Sequence, residues 1–194
     1  MVRPREFDRD QALDRAMRVF WAKGYAWTST DDLLAAMKIG RQSLYNAFGD
    51  KRKLYLEALD AYQRASNTGH LARLNSCSSP LGGIEALLLG LIADDDRARA
   101  LGCMGVSAIG EFGAADQELV KLRGNAATTL FKRLAERIRE AQALGEVDSS
   151  INARETAAFL QMTMQGIQLA ARGGGDAKSL RALARFAIGR LQPR

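Results

Sequence analysis

The chain has 194 residues, 47% of them hydrophobic, and a net charge of +6. That is enough apolar material for one or two compact domains with a sizeable core, and it excludes a disordered tail. The longest apolar run, residues 86–93, is far too short to span a bilayer, and the charged start lacks the apolar stretch of a secretion signal, so a cytoplasmic protein without membrane attachment is expected.

Helical spacing recurs along the whole chain and no strand-like alternation stands out, which predicts an all-α fold of about nine helices. The first, over 8–23, opens on an Asp8…Gln11 capping pattern, carries Ala12, Leu13, Ala16, Val19 and Phe20 on one face, and stops at Gly24. Ser29…Asp32 forms a second capping pattern and starts a short helix through Met37. A third begins near Arg41 and ends at Gly49-Asp50. A fourth runs from about Lys51 into the polar stretch Ser66-Asn67-Thr68-Gly69, with continuation beyond it as the alternative. Beyond Ser78-Ser79-Pro80, helices are expected over 81–94, 102–112, 116–144, 153–172 and 177–191. In the longest of these, Leu119, Leu122, Leu130, Leu134 and Ile138 repeat at helical spacing. Gly173-Gly174-Gly175 has neither the preceding strand nor the following Lys-Ser/Thr of a phosphate loop and is read as an interhelical turn.

The last two helices are apolar on two faces. Ala157, Leu160, Met164, Ile167 and Ala171 make one stripe of the first, and Phe159, Met162, Gly166 and Leu169 make another. One face can meet the chain's own core; the other needs a partner. A two-fold four-helix interface is the economical explanation, assigned to Leu160, Met164, Ile167, Ala171, Leu180, Leu183 and Ala187, with Gly166 and Gly189 allowing close approach. A fully buried central helix in a monomer is the alternative.

Residues 1–53 hold 11 Lys/Arg against 7 Asp/Glu, most of the chain's positive excess. A basic subdomain on a nearly neutral body favours a polyanionic partner. Within it, "LLAAMKIGRQSLYNAF" (33–48) reads as two short helices joined by Lys38-Ile39-Gly40, with Ile39, Leu44 and Phe48 toward the core. Arg41, Gln42, Ser43 and Asn46 then project from the start of the second helix, where a recognition helix meets base edges. Arg matches guanine, and Asn or Gln adenine, through forked hydrogen-bonding geometry. Tyr45, Lys51 and the helix start at Ser29 suit phosphate oxygens. Arg3 and Arg5 bracket Pro4 as an extended arm fit for a minor groove; the alternative is a solvated end.

These residues carry a resemblance to the tetracycline-repressor (TetR) family of bacterial transcription regulators. It rests on "KGY" (23–25), "TSTDDLLAAM" (28–37), "SLYNAF" (43–48), "GDKRKLYLEAL" (49–59) and the spacing of Tyr45, Phe48 and Lys51. It covers residues 8–60; beyond them only the helical layout is similar. Three positions depart: Lys38 stands where Gly is usual in the turn, Gly40 where Ser or Thr precedes the recognition helix, and Thr30 where an apolar residue is more usual. A left-handed Lys38 would cost on the order of 1 kcal/mol.

The resemblance implies a DNA-binding domain over 1–52 and a ligand-binding and dimerisation domain over 53–194. It implies a homodimer that reads a palindromic operator in double-stranded DNA, most often as a repressor, and is released by a small-molecule effector. Tyr62, Met104, Ile109, Phe112 and Gln165 lie on helices that should converge and are the candidate effector contacts. No cofactor is expected. The chain has no GxSxG and no metal-ligand cluster, and one histidine, His70, so an enzyme is not expected. Cys77 and Cys103 lack CxxC spacing and are read as ordinary thiols, with a sensing role as the alternative. The rival function is a helix-turn-helix DNA-binding protein without a small-molecule switch.

Overall fold

The computed structural model describes residues 7–193, apart from the side chain at position 126. The described residues form ten helices and no strand: α1 (Arg9–Lys23), α2 (Thr30–Met37), α3 (Arg41–Phe48), α4 (Lys51–Leu74), α5 (Pro80–Leu89), α6 (Asp96–Ala100), α7 (Met104–Phe112), α8 (Gln117–Ala143), α9 (Ala153–Arg172) and α10 (Ala177–Gly189). Nine answer the expected nine. The tenth, α6, is a single turn too short to leave a periodic signal. None of the described helices is long and apolar enough to cross a membrane.

The first four helices begin and end where local chemistry dictates. The Asp8 carboxylate accepts from the backbone of Asp10 and Gln11 and caps α1. Gln11 does not close a capping box; its side-chain oxygen takes Arg15 instead, at 2.6 Å. Ser29 and Asp32 do close one, each side chain bonding the other's backbone N–H. Lys38 ends α2 at φ 57°, ψ 44°, the left-handed conformation that Gly would adopt without a Cβ clash. Gly49, at φ 82°, ends α3, and Asp50 caps α4 through Lys53 N at 2.8 Å.

Two hydrophobic cores share α4. Its first half contributes Leu54, Tyr55, Ala58, Leu59 and Tyr62 to a core with Ala12, Phe20, Leu33, Met37, Leu44 and Phe48. Its end contributes Leu74 to a second core among α5, α8, α9 and α10. This is why α4 passes through Ser66-Asn67-Thr68-Gly69 and stops only at Leu74. Those residues are weak helix formers, but burial on both sides of them holds the backbone helical. The expected boundary between residues 52 and 53 therefore falls in the first turn of a continuous helix. Met104, Ala108 and Leu119, from α7 and α8, also enter the amino-terminal core.

Polar bonds lock the same junction. Glu111 on α7 accepts from the backbone of Tyr25 (3.2 Å) and Ala26 (2.9 Å) just after α1. Arg172 at the end of α9 donates to Trp21 O (3.2 Å) and Leu101 O (2.8 Å), and the Trp21 indole N–H also reaches Leu101 O (3.1 Å). Arg52 pairs with Asp116 at 2.7 Å.

Two outcomes test these local assignments. Lys38→Gly should raise stability by up to about 1 kcal/mol by removing the left-handed strain, read from urea midpoints. Asp32 is held near pKa 2, first by the Lys23 ammonium at 2.6 Å and then by Ser29. Because folding lowers this pKa, its stabilisation is complete above about pH 4 and fades as pH falls from there toward 2. The advantage of wild type over Asp32→Asn should accordingly be flat above about pH 5 and shrink below pH 4; an advantage unchanged down to pH 3 would contradict it.

Candidate nucleic-acid interface, ligand chamber and apolar face

Helix α3 stands on two buried residues, Leu44 and Phe48, with half-buried Ile39 in the turn before it. That footing turns Arg41, Gln42, Tyr45 and Asn46 to solvent, while Ser43 is only half exposed. In this state the polar groups satisfy one another. Arg41 pairs with Asp31 at 2.7 Å, and Gln42 donates to Asn46 at 2.9 Å. Both are surface contacts and hold their partners weakly. Asp31 is a residue that sequence reasoning passed over: it sits on α2, and its meeting with Arg41 depends on the angle between two helices.

The flanking contacts are set more firmly. The Lys51 ammonium lies 4.2 Å from the centroid of the Tyr25 ring, which fixes its charge at the start of α4. Ser29 is committed to its capping box, so its hydroxyl already has a partner. Helix α3, by contrast, has no side-chain cap: Gly40 leaves its first N–H groups free of one, and a Cβ there would meet nothing within 4 Å. An open helix start among basic residues is a ready anion site. Arg3 and Arg5 lie outside the described residues. Trp27, 85% exposed just before Ser29, extends the surface.

Behind this head, α4, α7, α8 and α9 enclose a chamber of about 190 Å³. Of the expected contacts, Tyr62, Ile109 and Gln165 line it. Met104 and Phe112 do not. Met104 is buried in the amino-terminal core, and Phe112 packs on Tyr25 and Tyr55, with ring centroids 5.3 and 5.6 Å away. On α7 the lining residues Gly105 and Ile109 directly follow the core residues Met104 and Ala108, about 100° around the helix, and only the rotation of α7 against α4 decides which is which. The chamber also gathers His70, Cys103, Arg123 and Gln161, which are scattered in sequence. The His70 ring is partly buried, and burial pushes its pKa down to about 4, with repulsion from Arg73 adding to the effect. Tyr62, likewise buried, keeps its hydroxyl protonated. Cys77 and Cys103 are free thiols.

The assignment of the interface residues needs correction. Leu160, Met164, Ile167, Ala171, Leu180 and Ala187 are all buried inside the chain's own second core. Of the expected set, only Leu183 is exposed. The outward face of α9 is its other stripe, Phe159, Met162 and Leu169, joined by Leu183 and Phe186 from α10; all five are 46–70% exposed. Gly166 and Gly189 have open space where a Cβ would stand. Two apolar stripes on one helix look alike in sequence; which one turns inward depends on the helix opposite.

The comparisons with known proteins follow this geometry. Residues 12–58 match the family described as bacterial regulatory proteins, tetR family, and residues 81–187 match the tetracyclin repressor-like, C-terminal domain. The chain is 28% identical over 186 residues to the HTH-type transcriptional repressor ComR of Escherichia coli K12, covering 94% of this chain and 88% of that one. It is 32% identical to the TetR family transcriptional regulator CifR, solved as a cysteine mutant with 26-bp double-strand operator DNA. That structure superposes with a TM-score of 0.80 over 96% of this chain and 98% of that one. A regulatory protein TetR from Rhodobacter sphaeroides shares the fold at a TM-score of 0.83 and 23% identity, over 94% of this chain and 98% of that one. With both halves matched in order and the short polar helix seated on Leu44 and Phe48, the chain belongs to the TetR family of bacterial regulatory proteins.

Proposed function

We propose that this protein is a cytoplasmic, dimeric transcriptional repressor that holds a palindromic operator and lets it go when a small molecule fills the chamber. The observation that carries the reading is the exposed polar face of α3, mounted on buried Leu44 and Phe48 beside an uncapped helix start. Residues 1–52 act as the reading head. Arg41 has to exchange Asp31 for a guanine edge or a phosphate, which costs little because the pair is exposed. Asn46 has to leave Gln42 in the same way. Lys51 and Tyr45 approach the backbone, where charge and hydroxyl serve any sequence. No catalytic role is assigned to any residue.

The dimer uses the exposed stripe of α9 and α10. Five large apolar side chains exposed on two adjacent helices are costly in a monomer, and open glycines among them let helices from a second copy approach closely. Glu111 and Arg172 give the chamber a mechanical link to the head. Ile109 lines the chamber, and two residues further along α7 Glu111 grips the segment after α1. A guest that shifts α7 therefore shifts the base of α1, and operator and guest affinities are reciprocally linked.

Arg41→Ala and Asn46→Ala should each weaken operator binding by about 1–3 kcal/mol and relax preference at particular base pairs, measured by selection of DNA fragments with each variant. Tyr45→Phe and Lys51→Ala should weaken binding to all sequences alike, and Lys51→Ala should flatten the salt dependence by about one unit of slope. Unchanged base preference in the first pair would remove α3 as the reader.

Met162→Glu with Phe186→Glu should give monomers of undiminished helicity in sedimentation and circular dichroism. Ile167→Glu should instead unfold the chain, because it buries an unpaired charge in the second core. A double variant that stays dimeric would place the interface elsewhere.

A further inference from the structure

Two carboxylates stand in the first turn of α2, and only one of them serves the fold. Asp32 is committed to Lys23 and to the Ser29 capping box. Asp31, its side chain 82% exposed, pairs among the described residues only with Arg41, Oδ1 lying 2.7 Å from Nη2. A negative charge in that turn suits the dipole of α2, but any acid there would do as much. What is particular is its neighbour, the first residue of the helix whose polar face is turned outward.

The frame around the pair is firm. Leu33 and Met37 seat α2 and Leu44 and Phe48 seat α3 in one core, and the left-handed Lys38 turn joins the two helices. The Asp31 side chain is short, so it stays near the place where it meets Arg41. Once Arg41 leaves it for a guanine, the carboxylate lies beside the duplex without its cation, and the phosphates repel it. The major groove offers it only two kinds of donor, the amino groups of cytosine and adenine. A G·C pair presents guanine N7 and O6 as acceptors and the cytosine amino group as donor on one edge. The fork of Arg41 matches the first two, and the carboxylate of Asp31 matches the third. An A·T pair in that place would set thymine O4 against the carboxylate. A reversed C·G pair would set the cytosine amino group against the guanidinium.

We propose that Arg41 and Asp31 read one G·C pair together, Arg41 donating to guanine N7 and O6 and Asp31 accepting from cytosine N4. This rests on the functional reading above, in which α3 enters the major groove. Asp31 is then a specificity-determining residue carried on α2. It adds little affinity, because phosphate repulsion offsets its hydrogen bond, and acts by rejecting the wrong base pair.

Selection from a pool of random DNA fragments with wild type, Arg41→Ala, Asp31→Asn and Asp31→Ala tests this. Wild type should prefer a G·C pair in each half-site that Arg41→Ala relaxes. Both Asp31 variants should relax the same pair, lowering its preference over A·T by about five-fold or more. On an unrelated duplex, read by fluorescence anisotropy, both should bind at least as tightly as wild type, since a negative charge beside the phosphates is gone. Two variants of one exposed position, each checked by circular dichroism, separate lost contacts from lost folding. A carboxylate that only restrains Arg41 or serves the helix dipole would leave every base preference intact while affinity changed for all sequences alike. That result overturns the proposal, as does relaxation at a pair that Arg41→Ala leaves untouched. A wild-type protein that selects no sequence at all would instead fail the functional reading, so the two failures are told apart.

Discussion

Tyr55 is the residue on which the two halves of this molecule meet. Its ring lies edge-on to Phe20 from α1 and to Tyr25 from the following loop, both at 5.0 Å, and tilts against Phe112 from α7 at 5.6 Å. Burial raises its pKa, with the nearby Glu111 charge adding to the effect, so the hydroxyl remains neutral within this cluster. Three chain segments thus converge on one aromatic side chain of α4. Such rings contribute both buried area and preferred edge-to-face geometry, and they resist small sliding motions. The orientation of the head relative to the body follows from this packing. So does the position of α3, whose buried Leu44 and Phe48 belong to the same core.

Around this apolar pivot the polar contacts work at longer leverage. Glu111, Arg172 and Arg52 each join a carboxy-terminal helix to a different point of the head: the loop after α1, the end of α1, and the first turn of α4. The Glu111 and Arg172 contacts end on backbone groups, so they transmit position without demanding a particular side chain. On α7 the chamber residue Ile109 lies two residues from the Glu111 anchor.

The surface follows the same division of labour. The head carries most of the positive excess, yet Asp31 and Asp32 place negative charge beside its reading helix. Asp32 serves the fold by closing the capping box, and Asp31 pairs with Arg41 at 2.7 Å. At the far end, α9 and α10 turn large apolar side chains outward that no described residue of the same chain covers. Charge at one end and apolar area at the other match two kinds of partner, a polyanion and a second copy.

The sequence by itself determined the helical class, nine of the ten helices, the Asp8 and Ser29–Asp32 caps and the polar face of α3. Each depends on residues within a few positions of one another, as at Asp8, at Ser29 with Asp32, and at the Lys38 turn. It also carried the two apolar stripes of α9, but not which of them faces inward, since both have helical period and similar residues. Phe112 and Met104 were misplaced for the same reason: a rotation of α7 by one residue step, about 100°, exchanges chamber for core and leaves the spacing unchanged. The extension of α4 to Leu74 depends on packing against other helices, and the Arg41–Asp31 pair and the Glu111 clasp join residues 10 to 86 positions apart. Only the tertiary structure decided those, because they are made by helices docking on one another, and docking is governed by the shape of the whole core rather than by any local stretch of chain.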